Sequence, residues 1–400
     1  MRALPPQQSR TSDLLGSWFI AGFEGSTHRR RDGRRLDLVA GTHHDRFAQR
    51  DYARMRRIGI HAARESLRWH LVEAEPRAYD FTSELPRLRA VAAAGITVVW
   101  DLCHFGWPDD VDPFAPEFPE RYGEWAAAVG RVMRHEVGAP HWFAPQNEIS
   151  FLAWAGGEVG YMNPHATGRG DELKRQLVRG TILAMDAIRA ELPLARFLHP
   201  EPLIHVAVDP DRPHERVAAA AATESQYESW EMLAGRRDPE LGGTERHLDV
   251  LGVNYYPGNQ WVVGGGALGA DSPQRVRLSS MLVELHHRLG RPIVISETGT
   301  EDADRGRWAT EVISEVEVAM RAGVPVGGIC LYPILNHPGW DDDRHCRNGL
   351  WDYAGPRGGR VAYRPLRRVL LEEARERAKR PSEPSSGGPL PSRTATIAAP

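Results

Sequence analysis

Short apolar and β-branched runs alternate along this chain with longer stretches in which apolar positions recur every three or four residues. A short run bounded by turn residues suits a buried strand, and the longer spacing suits a helix with one apolar face. The pattern predicts strands at Ser17–Gly22, His61–Arg64, Thr97–Leu102, His141–Pro145, Arg196–His199, Val250–Asn254, Pro292–Ser296 and Gly327–Tyr332. Helices are predicted at Arg46–Ile58, Ser83–Ala94, Pro119–Glu136, Asp171–Leu192, Val276–Leu289, Arg305–Ala322 and Pro365–Arg377. Eight strands alternating with helices predict an α/β fold, a closed (β/α)8 TIM barrel in a single domain over residues 14–379. Residues 1–13 read as a loose polar leader, and residues 380–400, rich in Pro, Ser, Gly and Thr, as a disordered tail. An open doubly wound sheet is the structural alternative, but it requires a glycine-rich turn after the first strand. Gly22-Phe23-Glu24-Gly25-Ser26 does not supply that turn. Gly264-Gly265-Gly266-Ala267-Leu268-Gly269 lies in a long loop with no helix start behind it and reads as flexible linker.

Composition narrows the function classes. The 400 residues are 41% hydrophobic and 26% charged, ordinary for a globular protein, and the net charge of −3 gives no field to recruit nucleic acid or an acidic membrane. Lys174 and Lys379 are the only lysines against 48 arginines, a balance that fits codon bias in a GC-rich genome. Cys103, Cys330 and Cys346 make neither a disulfide framework nor a zinc spacing, and Cys103 and Cys330 sit in apolar runs as buried thiols. With no signal-peptide pattern and no apolar run approaching the ~18 residues of a membrane span, a cytoplasmic protein is expected.

Two segments carry candidate chemistry. Pro145-Gln146-Asn147-Glu148 and Ile293-Val294-Ile295-Ser296-Glu297-Thr298-Gly299 each bring a carboxylate to the point where a predicted strand gives way to a loop. In a barrel of parallel strands, active sites are built at that edge. Two glutamates there are the pair that glycosidic-bond chemistry uses. They fall at the ends of the fourth and seventh predicted strands. In that arrangement the chain resembles the clan A glycoside hydrolases, which carry an acid/base Glu preceded by Asn after strand four and a nucleophilic Glu at strand seven. By motif it is most similar to glycoside hydrolase family 1, the β-glucosidase family, as a divergent member.

The resemblance extends over nearly the whole barrel. Arg64, ending the second strand, stands where the family keeps an arginine near the nucleophile. His104, in Leu102-Cys103-His104-Phe105, is similar to the family's sugar-binding histidine. Leu251-Gly252-Val253-Asn254-Tyr255-Tyr256 resembles the strand whose second tyrosine bonds the nucleophile. Leu335-Asn336-His337-Pro338-Gly339-Trp340, followed by Asn348-Gly349-Leu350, resembles the strand-eight loop with its aromatic platform. The resemblance implies Glu148 as acid/base and Glu297 as nucleophile. Asn147 is then expected on the sugar 2-hydroxyl, with Glu24, Arg64, His104, Asn254, Tyr256 and Trp340 completing the site. Trp107 and Trp154 are candidate subsite walls beside Trp340. Arg64 and the Tyr256 hydroxyl are expected to hold the Glu297 pKa down, while burial and the Glu297 charge raise that of Glu148. Carboxyls roughly 5–5.5 Å apart imply retention through a covalent glycosyl-enzyme.

Three departures mark the divergence: Ile149 in place of a proline, Gly339 in place of a glutamate that grips sugar hydroxyls, and Glu24 as a stand-in for a glutamine. The loop His28-Arg29-Arg30-Arg31-Asp32-Gly33-Arg34-Arg35 reads as a solvated charged loop, with recognition of an anionic substrate group as the sharper alternative. His43-His44-Asp45 and Asp341-Asp342-Asp343 with His345 supply ligand types at no recognised metal spacing, and Asp45 reads as a helix N-cap. The expectation is a retaining β-glycosidase acting on a small-molecule glycoside or oligosaccharide, needing no metal or other cofactor. A transglycosidase, or a catalytically silent sugar- or metabolite-binding barrel, stays open, and the oligomeric state is not specified.

Overall fold

Alternation along each buried strand decides which residues line a barrel and which meet the surrounding helices. In the computed structural model, which describes residues 14–379, the barrel strands are β1 (Phe19–Gly22), β2 (Ala62–Ser66), β3 (Thr97–Asp101), β4 (Trp142–Ala144), β5 (Arg196–Pro202), β6 (Val250–Asn254), β7 (Ile293–Thr298) and β8 (Val326–Leu331). All pair in parallel, in chain order, and β8 closes onto β1. The outer helices are α1 (His44–Arg57), α2 (Leu85–Ala94), α3 (Phe118–Glu136), α4 (Gly170–Glu191), α5 (Glu228–Leu233), α6 (Leu278–Leu289), α7 (Arg305–Arg321) and α8 (Arg364–Lys379). The predicted closed barrel is the fold observed. The predicted leader and tail lie outside the described residues.

One apolar layer fills the barrel: Ile20, Ala62, Val99, Trp142, Leu198, Val250, Val294 and Cys330 each come from a different strand. Two residues further along, the inward positions become Gly22, Arg64, Asp101, Gly252, Ser296 and Tyr332, so the barrel is dry below and polar above. Gly22 is required there, because a Cβ would meet the Tyr332 ring at 2.1 Å.

The structure corrects several local expectations. Strands β2, β5 and β7 run two or three residues further than predicted, so Arg64 lies within its strand and not at its end, and Glu297 within its strand and not past it. The segment between β5 and β6, predicted without helices, forms Arg216–Glu224 and α5. Gly264–Gly269 is no free linker: Val262 donates to the Gly266 carbonyl at 3.0 Å, and the strand Gln260–Val262 pairs with His205–Ala207. His43, in the left-handed region at φ 57, caps α1, and Asp45 lies inside its first turn. Among the described residues, no helix is long and apolar enough to cross a membrane.

Outside the barrel, Glu65 points from β2 into the helix layer and meets a buried charge network. His44 bonds Asp51 through Nδ1 at 3.0 Å and Glu65 through Nε2 at 2.7 Å, while Arg87 and Tyr52 also reach Glu65. Burial opposes the charged imidazole, but Glu65 and Asp51 outweigh it and raise the His44 pKa above 6.5. That contribution to stability is complete below 6.5 and is lost as pH rises through the raised value. His44→Ala is expected to cost about 3–5 kcal/mol, the scale for breaking a buried pair. The loss should be larger at pH 6 than at pH 9 in urea unfolding, and an equal loss at both would remove the charged-imidazole account.

Candidate active site

Arg64 is the hub of the polar layer. Its guanidinium donates from Nε to Asp101 at 2.9 Å, from one terminal nitrogen to Glu297 at 2.7 Å, and from the other to Asn147 Oδ1 at 2.7 Å. Three strand ends and the loop after β4 are thereby tied to one buried cation. Asp101 also takes His104 Nδ1 at 2.8 Å, and His104 Nε2 faces Asn147 Nδ2 at 3.2 Å.

Glu297 reaches this hub through a β-bulge. Along β7, Val294 and Ser296 face the barrel axis, so strict alternation would send Glu297 outward to the helices. The pairing with β6 shifts between Val253–Ile295 and Asn254–Glu297, placing one extra residue on β7. Such a bulge re-aims the side chain that follows it, and Glu297 turns inward with Ser296. Its second oxygen accepts from the Tyr256 hydroxyl at 2.8 Å. Glu148 sits opposite on a different device, a left-handed backbone at φ 46 and ψ 65. Its carboxyl accepts from Asn254 Nδ2 at 2.8 Å, and Ser296 donates to the other end of that amide at 2.6 Å.

The two glutamates are held unequally. Burial and the Glu297 charge push Glu148 well above the usual carboxylate range, outweighing the Asn254 amide and the Arg64 charge that oppose them. Burial raises Glu297 as well, against the expectation of a depressed value, but Arg64, His104 and Tyr256 counter it. Of the two, Glu297 has the surroundings that favour the charged form, and Glu148 those that favour the protonated form. Burial and the Glu297 charge also raise Tyr256 well above 10, so the phenol stays a donor.

Glu24 joins from the loop after β1. Burial raises its carboxyl, yet His104, His337 and the Ser26 donors hold it below 4.5, and it faces the site ionised. Trp340, half-buried, meets Phe105 and His28 edge-on at 5.8 and 5.3 Å. Of the other two candidate walls, Trp107 is buried and Trp154 is half-exposed on the loop after β4. At Gly339, where the resembled family has a glutamate, a Cβ would displace the carboxylate end of the exposed Asp342 side chain.

The arginine loop is exposed at positions 31–34, as expected of a charged surface loop, and its guanidiniums are engaged by neighbouring loops. Arg29 and Arg35 pair with Asp109 on the β3 loop, Arg30 and Arg34 with Asp343 on the β8 loop, and Arg31 donates to the Gly160 carbonyl on the β4 loop. These contacts tie the rim loops to one another. The metal-ligand types are likewise dispersed: His44 is buried beside Asp51, His345 pairs with Asp352 at 2.9 Å, and Asp343 holds arginines. No group of three or more potential ligands able to hold a metal occurs among the described residues.

Four contributors escaped the sequence reading. Asp101 ends β3, and Tyr332 follows β8, stacked parallel to His104 at 5.7 Å with Arg64 5.3 Å from its ring. Glu201 lies near the end of β5, and His28 sits buried behind Trp340 with its pKa pushed down to about 4 by burial. For Asp101 and Glu201, a lone carboxylate near a strand end was the available signal. Tyr332 and His28 had none.

A (β/α)8 barrel bearing two unequal buried carboxyls at its C-terminal edge is thus the class the fold and site define. Known structures agree on the fold. The chain is similar to the AHE enzyme from Alicyclobacillus herbarius, with 18% identity, 94% of this chain and 100% of that chain covered, and a TM-score of 0.74. It is similar to a Thermotoga maritima β-glucosidase in complex with glucoimidazole, with 14% identity, 91% and 99% coverage, and a TM-score of 0.73. A structure described as a family 1 β-glucosidase from Thermotoga maritima aligns at 14% identity and a TM-score of 0.71, over 94% and 99%. No protein-family profile matches the chain, and no curated protein matches it in sequence.

Proposed function

We propose that this protein is a retaining β-glycosidase, with Glu297 as nucleophile and Glu148 as acid/base. The observation that carries this reading is the unequal environment of the two carboxyls. Glu297 receives a guanidinium and a phenol, which favour an ionised, attacking oxygen. Glu148 receives a neutral amide and keeps its proton for the leaving-group oxygen.

In the first step, a Glu297 oxygen bonds the anomeric carbon as the glycosidic bond breaks and the Glu148 proton passes to the departing oxygen. In the second, Glu148, now a base, takes a proton from water, whose oxygen displaces Glu297 and restores the original configuration. Arg64 donates to Asn147 Oδ1, which supports a role for the Asn147 amide N–H as donor to the sugar 2-hydroxyl, with Trp340 as an apolar wall for the pyranose. The similarity to β-glucosidase structures supports a sugar substrate. Activity should fall below the Glu297 pKa and above that of Glu148, both displaced upward from 4.5, giving a bell centred above the ordinary carboxylate range.

The test is mass spectrometry of intact protein after incubation with a panel of 2-deoxy-2-fluoro-β-glycosides, wild type beside Glu297→Ala. One added glycosyl mass on the wild type alone, mapped to the peptide holding Glu297, is the expected result and names an accepted sugar. An adduct on another residue would reject the assignment. Silence across the panel and in hydrolysis screens would move the protein to the non-catalytic class.

A further inference from the structure

A third carboxyl lies behind the proposed acid/base and has no part in the steps above. Glu201 is 2% exposed, near the end of β5. Its two oxygens take the Ser150 backbone N–H at 3.1 and 3.4 Å, and the Ser150 and Ser229 hydroxyls, themselves 3.3 Å apart, complete its hydrogen bonds.

The place of that grip matters. Glu148 occupies the left-handed region, which a residue with a Cβ adopts only when its surroundings impose it. Two consecutive residues of β5 impose it here. Pro200 takes the Glu148 N–H through its carbonyl at 3.0 Å, and Glu201 takes the N–H two residues further on. The turn that carries Glu148 is thereby pinned on both sides to one strand.

Glu201 also acts through charge. Facing Glu148 are Glu297 from β7, Arg64 from β2, the Asn254 amide from β6 and Glu201 from β5, and the Glu201 charge raises the Glu148 pKa further. Facing Glu201 are the two serines and Lys174 from α4, whose ammonium is already 2.6 Å from Glu228. Burial outweighs these serine bonds and the lysine and pushes Glu201 up to about 7. Glu201 thus gains its charge as the solution passes neutrality.

We propose that Glu201 is a positioning residue for Glu148, its carboxyl fastening the left-handed turn that presents Glu148 and its charge opposing ionisation of the Glu148 carboxyl. The inference rests on the acid/base reading of Glu148 given above.

Glu201→Gln separates the two effects, because the amide oxygen still accepts the Ser150 N–H but carries no charge. The basic limb of the kcat/KM profile is expected to move to lower pH by about one unit. Glu201→Ala also releases the turn, and kcat should fall about 10- to 100-fold with KM little changed. A substrate-free readout accompanies both: titration of glutamate side-chain carboxyl carbons by 13C NMR in wild type, Glu201→Gln and Glu148→Gln. The resonance lost in Glu148→Gln should titrate at lower pH when Glu201 is Gln. If its midpoint stays put, the proposal is overturned, whatever happens to activity or melting temperature. A lowered midpoint in a protein that neither hydrolyses nor is trapped by any glycoside would uphold the coupling and reject the glycosidase reading instead.

Discussion

Glu297→Ala is expected to lower turnover of an aryl β-glycoside by about 10⁴-fold or more, the scale on which removing a covalent nucleophile acts. Nothing else in the site replaces it. Asp101 is committed to Arg64 and His104, Glu24 to the Ser26 donors, and Glu148 holds the proton. Folding should survive, because the variant relieves a buried charge while Arg64 keeps Asp101. Added azide provides the sharper readout. In Glu297→Ala a small anion has room to attack the anomeric carbon from the vacated side, and one inversion yields the α-glycosyl azide. In Glu148→Ala the glycosyl-enzyme still forms from an activated substrate, and azide attacking it gives the β-anomer. The anomer in each variant is read by NMR. A β-azide from the Glu297 variant would exchange the two assignments.

The second large effect is expected at Arg64. Arg64→Met fills much of the volume but leaves Asp101 and Glu297 as buried carboxyls without their cation, and it frees Asn147. Removing one partner of a buried ion pair costs about 3–5 kcal/mol. The sign of its pH dependence follows from Asp101. Burial raises that carboxyl, but Arg64 and His104 hold it below 3.8 in the native protein, so the stabilisation is present above that value and lost as pH falls through the depressed one. In the variant, both carboxyls take up protons more readily. The destabilisation should therefore be greater at pH 8 than at pH 5 in urea unfolding. Activity should fall by about 10²-fold or more, with the acidic limb of the profile moving to higher pH as Glu297 becomes harder to ionise. Arg64→Lys should not restore it, because a single ammonium cannot span three acceptors as a planar fork does. A pH-independent loss of stability, or an acidic limb that stays in place, would sink this account.

The unequal depth of the sequence reading follows from what a linear pattern encodes. Buried parallel strands are short continuous apolar runs, so all eight were legible to within one to three residues, and with them the barrel. Glu148, Asn147 and Tyr256 sit in local motifs that name themselves. Asp101, Tyr332 and Glu201 are single residues near strand ends, flanked by nothing distinctive, and they matter through partners on other strands. The partners of the arginine loop were hidden for a related reason. Its charge was visible along the chain, while Asp109 and Asp343, which pair with four of its five arginines, lie 74 or more positions away.

By itself the sequence determined the eightfold alternation, the closed parallel sheet and the edge at which polar residues collect, because these depend on periodicity and on the near-universal handedness of strand–helix–strand connections. Tertiary structure alone decided which way the decisive side chains face. Simple alternation turns Glu297 toward the helices, and only the register slip between β6 and β7 brings it to Arg64 and Tyr256. Glu148 reaches the same space on a left-handed turn held by Pro200 and Glu201 of the next strand. Both are cross-strand constraints. No local preference encodes a conformation that exists only because a neighbouring strand holds it there.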